Sequence, residues 1–270
     1  MSAADFIKVA VVTGSNKGIG LEISKKLCRS GLKTVMACRN EDLGRKAVAE
    51  LNAAGFDAEF RLCDIANPDS IDAFISDLKK DYSSIDVLIN NAAIAFKNAD
   101  PTPFEKQARV TLNTNYFGTL KLSLDMLPLL YASKAGGRIV NVASQSGLLK
   151  ILKSPSKKAI FTSSTLTIDA LSAAMNEFIS EVESVGTGNS WSNTCYGMSK
   201  LGVIALTKVM ARENPGILIN ACCPGWCATD MSSHGGPRTA ERGSETPVML
   251  SLGELVGSGG FYFDEALLSW

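Results

Sequence analysis

Histidine is almost absent from this sequence of 270 residues, since His234 is the only one. With one imidazole and no Cys-x-x-Cys pair, the sequence lacks the ligand clusters typical of zinc sites, so we expect no metal. The seven cysteines are odd in number and fall mostly in predicted helices and strands. This pattern favours reduced thiols in a cytoplasmic protein.

Net charge is also absent, because 27 basic residues balance 27 acidic ones. A neutral chain has no long-range attraction to nucleic acid or to an anionic membrane, and we expect neither as a partner. No apolar run reaches the length of about 18 residues that a membrane helix needs. The first five residues are polar and lack the regions of a signal peptide, which also indicates a cytoplasmic protein.

Strand-like and helix-like segments alternate along the chain, as in a parallel sheet covered by helices on both faces. We expect one α/β domain over residues 1–270 with a doubly wound, seven-stranded parallel sheet. The predicted strands are residues 7–13, 33–38, 58–63, 85–90, 137–144, 217–223 and 260–263. The predicted helices after the first are 41–54, 68–81, 104–131 and 196–212, and Pro128 is expected to end or kink the third of these.

An insertion at about residues 148–190 interrupts this alternation. It begins with a polar run, 153–158, and ends in a loop, 186–191. Between them, apolar residues recur at helical intervals: Leu166, Ile168, Leu171, Met175, Phe178 and Val182. The stripe predicts a helix that packs on the main body.

A glycine loop follows the first strand directly and leads into a helix that contains Ile23 and Leu27. Glycines allow a tight turn and close approach to a phosphate, and the helix offers unpaired N–H groups. A turn without a ligand is the alternative, but the strand before and the amphipathic helix after favour a dinucleotide site. Its predicted residues are Gly14, Asn16, Lys17, Gly18, Ile19 and Gly20.

Tyr196 and Lys200 are four residues apart and therefore share one helical face. A neighbouring ammonium favours the phenolate, so we expect it to lower the pKa of Tyr196. Tyr196 is thus a candidate general acid.

Together these motifs resemble the short-chain dehydrogenase/reductase family, and within it the monomeric NADPH-dependent carbonyl reductases. The matching positions follow the family's order: Thr13 to Gly20, Asp64, 90–93, Asn115, Ser144, Tyr196, Lys200 and Pro224-Gly225. Residues 220–226, 229–231 and 245–248 are similar to the carbonyl reductases. Ala93 stands where the family usually has glycine.

The resemblance implies a Rossmann-type fold and reduction of an aldehyde or ketone by NADPH. Ser144 would orient the substrate carbonyl, and Tyr196 would donate the proton. Lys200 would keep the phenol acidic and hold the nicotinamide ribose, while Asn115 would anchor a water on the proton path.

Charge at the end of the second strand favours NADP(H) over NAD(H). NAD sites place an acid there to bind the ribose hydroxyls, whereas this strand ends in Arg39, with Lys17 in the glycine loop. The family resemblance adds adenosine contacts from Asp64, Ile65, Asn91 and Ala92 and nicotinamide contacts from Pro224, Gly225, Cys227, Ala228 and Thr229. Asp64 has an alternative role as a turn or helix-capping residue.

Substrate contacts are expected from Ser144, Gln145, Ile94 and Trp226, with a lid at about residues 230–245. Trp226 could equally be a core residue, Cys227 an inert packed thiol, and His234 a solvated residue of the lid.

Three further expectations concern function and assembly. The insertion would cover the face that other family members use for dimers, so we expect a monomer.

The substrate could be a terpenoid or alkaloid ketone instead of a general aldehyde or ketone. A noncatalytic NADPH sensor is the alternative outside enzymology, and the intact Ser144, Tyr196 and Lys200 argue against it.

Overall fold

An eight-stranded sheet forms the centre of the computed structural model, which describes residues 8–97, 99–253 and 257–270. The strands run in the order β3-β2-β1-β4-β5-β6-β7-β8, and all neighbours are parallel except β7 and β8. They are β1 Val9–Thr13, β2 Lys33–Cys38, β3 Ala58–Leu62, β4 Val87–Asn90, β5 Arg138–Val142, β6 Leu218–Cys223, β7 Phe261–Phe263 and β8 Ala266–Leu267.

Helices cover both faces of this sheet. They are α1 Gly18–Arg29, α2 Glu41–Ala53, α3 Pro68–Asp81, α4 Phe104–Leu112, α5 Thr119–Tyr131, α6 Pro155–Thr162, α7 Ile168–Val185, α8 Cys195–Glu213, α9 Ala240–Gly243 and α10 Glu245–Leu252. A π-helix, Asn113–Gly118, joins α4 to α5. Short 3₁₀ turns cover Gln145–Gly147, Leu149–Ile151, Gly186–Gly188 and Asp230–Ser232.

Both faces of the sheet are apolar, as buried parallel strands require. Along β1, Val9 and Val11 belong to the core under α3, α4, α5, α7 and α8, while Ala10 and Val12 belong to the core under α1 and α10. The sequence prediction of a doubly wound α/β fold is confirmed, and the predicted bounds of β2 and α3 are those observed. Ile7, the predicted start of β1, lies outside the described residues.

The prediction of seven parallel strands was wrong at the β7 edge of the sheet, where an eighth strand follows. The chain turns back after β7 and adds β8 as an antiparallel edge strand. Asp264 and Glu265 form this turn with positive φ angles of 49° and 60°. Neither is the glycine or asparagine that normally indicates such a turn in a sequence, and β8 has only two residues.

The predicted helix 104–131 is also divided. Its middle is the π-helix, and α5 continues through Pro128 to Tyr131, so the proline does not end the helix.

The insertion contains two helices. The predicted apolar stripe is buried in α7, where Leu171, Met175, Phe178 and Val182 are all at 0% exposure. The polar run 153–158, in contrast, starts α6, with the Ser154 side chain as its N-cap. Trp191, predicted to lie in a loop, is fully buried against Phe161.

Within the described residues no helix combines the length and hydropathy needed to cross a membrane. All seven cysteines are free thiols.

Candidate active site

One large cavity of about 950 Å³ opens at the carboxyl ends of the strands. In doubly wound sheets ligands bind at this edge. Every residue predicted to contact cofactor or substrate lines the cavity: Gly14, Asn16, Lys17, Gly18, Ile19, Gly20, Arg39, Asp64, Ile65, Asn91, Ala92, Ile94, Ser144, Gln145, Tyr196, Lys200, Pro224, Gly225, Trp226, Cys227, Ala228 and Thr229. Asn115 is the one predicted site residue that is not on its lining.

The glycine loop has the backbone shape that only glycine adopts easily. Gly14 and Gly18 have φ angles of +63° and +56°. A Cβ atom at Gly20 would lie 2.4 Å from the carbonyl oxygen of Gly14, so the loop and α1 pack too closely for a side chain. The first turn of α1 has no acidic residue and no side-chain cap, which leaves its N–H groups available to an anion.

Asn91 and Thr13 hold this loop in place. The Asn91 side-chain amide donates to the carbonyl oxygen of Thr13 at 2.9 Å and to that of Gly14 at 3.3 Å. The Thr13 hydroxyl in turn accepts from the N–H groups of Asn91 and Ala92 at 3.0 and 2.9 Å. The end of β4 therefore fixes the turn after β1.

Ser144, Tyr196 and Lys200 come together at the other end of the cavity. Ser144 caps the 3₁₀ turn after β5, where its hydroxyl accepts from the N–H of Ser146 at 3.1 Å, and it also hydrogen-bonds to the Tyr196 phenol. Lys200 donates from Nζ to the carbonyl oxygen of Val142 at 2.7 Å. Its Nζ lies 5.7 Å from the centre of the Tyr196 ring.

Burial shifts the pKa values of both Tyr196 and Lys200. It raises the pKa of the Tyr196 phenol to about 12, while the Ser144 hydrogen bond acts in the opposite direction. It lowers the pKa of the Lys200 ammonium to about 8. The direction of the Tyr196 shift is therefore opposite to the expected lowering, because desolvation of the buried phenol is its largest cause.

The π-helix positions Asn115 beside the cavity. Its side-chain oxygen accepts from the N–H of Ile94 at 2.8 Å, and its amide donates to the Ile94 carbonyl and the Ser199 hydroxyl at 2.9 and 3.0 Å. Asn115 thus ties a cavity-lining segment to α8, next to Lys200. Single π-turns of this kind occur often at functional sites.

The two cations predicted at the adenosine end differ in their surroundings. Arg39 is exposed and has no ion-pair partner within the described ranges. Lys17 pairs with Asp230, with Nζ and Oδ2 2.5 Å apart. Asp64 lines the cavity and also stabilises a turn, since its carboxylate accepts from the N–H of Ala66 at 3.0 Å. The cap of α3 is Asn67 rather than Asp64.

The outer part of the cavity is open and is lined by both apolar and charged side chains. Trp226 lines it and is 63% exposed, so the alternative of a core tryptophan was wrong. Cys227 is buried, and burial raises the pKa of its thiol. His234 is exposed beside Asp230, with 3.1 Å between Nε2 and Oδ1.

Several lining residues were not found from the sequence. Met231, Pro237 and Arg238 lie within the predicted lid, 230–245, where no single residue was named as a contact, and Phe263 lies at the end of β7. The guanidinium of Arg238 binds both carboxylate oxygens of Asp264 at 2.5 and 2.6 Å. Because Asp264 is distant in sequence, the position of Arg238 could not be predicted from its neighbours. No group of three or more potential metal ligands occurs in the described part of the chain.

Known proteins are similar to this chain in sequence and in fold. The family model for short chain dehydrogenase matches residues 8–177 and 156–238. Carbonyl reductase (NADPH) 3 of Rattus norvegicus is 45% identical over 91% of both chains, and carbonyl reductase (NADPH) 1 of Homo sapiens is 44% identical over 91% of both.

Solved structures extend the comparison to plant enzymes. Salutaridine reductase from Papaver somniferum is 29% identical with a TM-score of 0.87, over 94% of this chain and 99% of that one. Menthone neomenthol reductase from Mentha piperita is 27% identical with a TM-score of 0.81, over 94% of this chain and 98% of that one. By its sequence and its fold, the chain belongs to the short chain dehydrogenase family.

Proposed function

We propose that this protein reduces aldehydes or ketones with NADPH. The observation that carries the proposal is one continuous cavity with a glycine loop at one end and Ser144, Tyr196 and Lys200 at the other. Relatives named as NADPH carbonyl reductases, at 44–45% identity over 91% of their length, support the same activity.

The cavity residues fit a phosphorylated dinucleotide. The uncapped start of α1 and the bare backbone at Gly20 suit a pyrophosphate. Arg39 and Lys17 supply positive charge for a 2′-phosphate, and no acid ends β2. When bound, NADPH supplies the hydride.

Ser144 and Tyr196 then act on the substrate oxygen. The Ser144 hydroxyl orients the carbonyl by a hydrogen bond, and Tyr196 donates its proton as negative charge develops on oxygen. The phenol, with a pKa near 12, stays protonated over the physiological range. Lys200, charged below its pKa of about 8, holds the ribose hydroxyls and stabilises the phenolate left after proton transfer.

A ring ketone of plant terpenoid or alkaloid type is a second candidate substrate. The likeness to salutaridine reductase and to menthone neomenthol reductase favours it. Trp226 and Met231, both exposed in the lining of the open cavity, offer apolar surface to a multi-ring substrate.

The protein is further proposed to be a cytoplasmic monomer and one domain. Helix α7 packs on α4 and α8, and the family resemblance implies that it covers the face through which other members form dimers. Seven free thiols suit a reducing compartment.

A substrate panel tests the activity. Quinones, dicarbonyls, aliphatic aldehydes and ring ketones are each offered to the purified chain with NADPH or NADH, and cofactor oxidation is followed at its absorbance maximum. We expect turnover with NADPH in at least one class and a lower efficiency with NADH. No oxidation in any class while NADP⁺ still binds would favour a sensor over an enzyme.

A further inference from the structure

An ion pair joins the two sides of the cavity at its cofactor end. Lys17 belongs to the glycine loop and Asp230 to the segment after β6, and both line the cavity. Their Nζ and Oδ2 atoms are 2.5 Å apart although 213 residues separate them in sequence. The hydrogen bond and charge of Lys17 lower the pKa of Asp230, so this carboxylate is ionised at neutral pH.

Asp230 belongs to a loop, residues 228–237, that is firmly fixed at its base. Cys227 and Arg238 form a parallel β-bridge there, and the N–H of Ala228 donates to the Arg238 carbonyl at 2.7 Å. The bidentate contact of Arg238 with Asp264 anchors this base to the β7–β8 turn. Near its start, the loop reaches the glycine loop through the Lys17–Asp230 pair, and the Thr229 side chain lies beside Gly18.

The Lys17–Asp230 ion pair is weak enough for Lys17 to leave Asp230 and bind another anion. Its side chains are 60% and 57% exposed, and exposed pairs contribute little to stability. The lysine ammonium is a mobile point charge that can turn to another anion. Arg39, by comparison, has no carboxylate partner in the described part of the chain and needs no exchange to bind a phosphate.

We propose that Asp230 competes with the 2′-phosphate of NADP(H) for Lys17 and thereby weakens NADP(H) binding relative to NAD(H). This inference rests on the proposed use of NADPH. Phosphate and carboxylate both attract the ammonium, so the Lys17 side chain can neutralise one of them only by leaving the other. When Lys17 turns to the phosphate, His234 stays beside Asp230.

Binding measurements on the full chain test the competition without any turnover. Dissociation constants for NADP⁺ and NAD⁺ are measured by titration calorimetry for the unchanged protein, Asp230→Asn, Lys17→Met and the double variant. Asp169→Asn is the matched control, because Asp169 is an exposed acid on α7 that does not line the cavity. We expect Asp230→Asn to tighten NADP⁺ binding about two- to five-fold, the range for one exposed ion pair, and to leave NAD⁺ binding unchanged.

The double variant separates the specific effect from a general one. If Asp230 acts through Lys17, Asp230→Asn gives little or no gain once Lys17 is methionine. An equal gain with NAD⁺, a gain kept in the Lys17→Met background, the same gain in Asp169→Asn, or no gain at all would each overturn the competition. Failure of the unchanged protein to bind NADP⁺ would instead reject the proposed function and this inference with it.

Discussion

At the scale of single residues, burial rather than contact sets the chemistry of the candidate site. Tyr196 keeps its proton because its phenolate would be poorly solvated, and Lys200 is close to losing its charge for the same reason. Spacing identified this pair, but sequence contains no measure of desolvation, which depends on how α8 packs against β5 and β6. The direction in which the pKa of Tyr196 shifts therefore could not be predicted from the sequence.

Lys200 provides a pH-dependent test of this burial. Its pKa falls from 10.5 to about 8 on folding. Below pH 8 both states bind the proton and the full cost of the buried charge is present, whereas between pH 8 and 10.5 only the unfolded chain binds it, so stability rises with pH. Lys200→Met removes that cost and should raise the free energy of unfolding by about 1–3 kcal/mol at pH 7.

Urea unfolding at pH 7, 9 and 10 measures the effect. The advantage of Lys200→Met should shrink as the pH rises. Lys208→Met, an exposed change on the same helix, is the control and should stay within about 0.5 kcal/mol of the parent. An advantage that does not vary with pH would contradict the burial argument.

Arg39 tests cofactor choice at the same scale. Arg39→Asp places an acid at the end of β2, where it repels a 2′-phosphate and can accept from ribose hydroxyls. We expect the ratio of kcat/KM for NADPH to that for NADH to fall at least about ten-fold, as for one charged hydrogen bond. An unmodified protein with equal efficiency for both cofactors would show that Arg39 and Lys17 do not select NADPH.

At the scale of elements, regular periodicity was visible in the sequence and local irregularity was not. The α7 stripe and the β2 and α3 bounds follow directly from apolar spacing and turn residues. The π-helix could not be found in this way, because a single widened turn depends on tertiary packing, such as the close approach of Gly118 to Ile65, and has no repeating pattern of its own. The strand β8 and the helix α6 were too short for a periodic signal.

Gly118 tests the importance of the π-helix. A Cβ atom there would lie 2.0 Å from the carbonyl oxygen of Ile65, so Gly118→Ala must push α5 away from a cavity wall. We expect a loss of about 1–3 kcal/mol in the free energy of unfolding, together with weaker NADP⁺ binding. Gly257→Ala is the control, since its Cβ would meet nothing within 4 Å. If both variants behaved alike, the close contact at Gly118 would not matter.

At the scale of the whole molecule, topology gathers residues that are far apart in sequence. Parallel strands bring the ends of β1, β2, β3, β4, β5 and β6 to one edge, which is why motifs in family order could be assigned to one cavity beforehand. The individual residues of the outer wall could not be assigned in this way. The predicted lid, 230–245, contains Met231 and Arg238, but tertiary contacts decide which of its side chains line the cavity.

The insertion makes a prediction about assembly. With α7 buried against α4 and α8, the chain should not pair through these helices. Light scattering at micromolar concentration should give a mass near 28.7 kDa. A stable dimer or tetramer would mean that another surface of the molecule forms an interface.

The turnover of Tyr196→Phe tests the central claim most directly. This change removes the transferable proton and keeps the ring, so NADP⁺ should bind with nearly unchanged affinity. With the best carbonyl substrate of the panel, kcat for NADPH oxidation should fall by about 10²–10⁴, the usual contribution of general acid catalysis. Near-normal turnover would show that the proton comes from another group and would contradict the account.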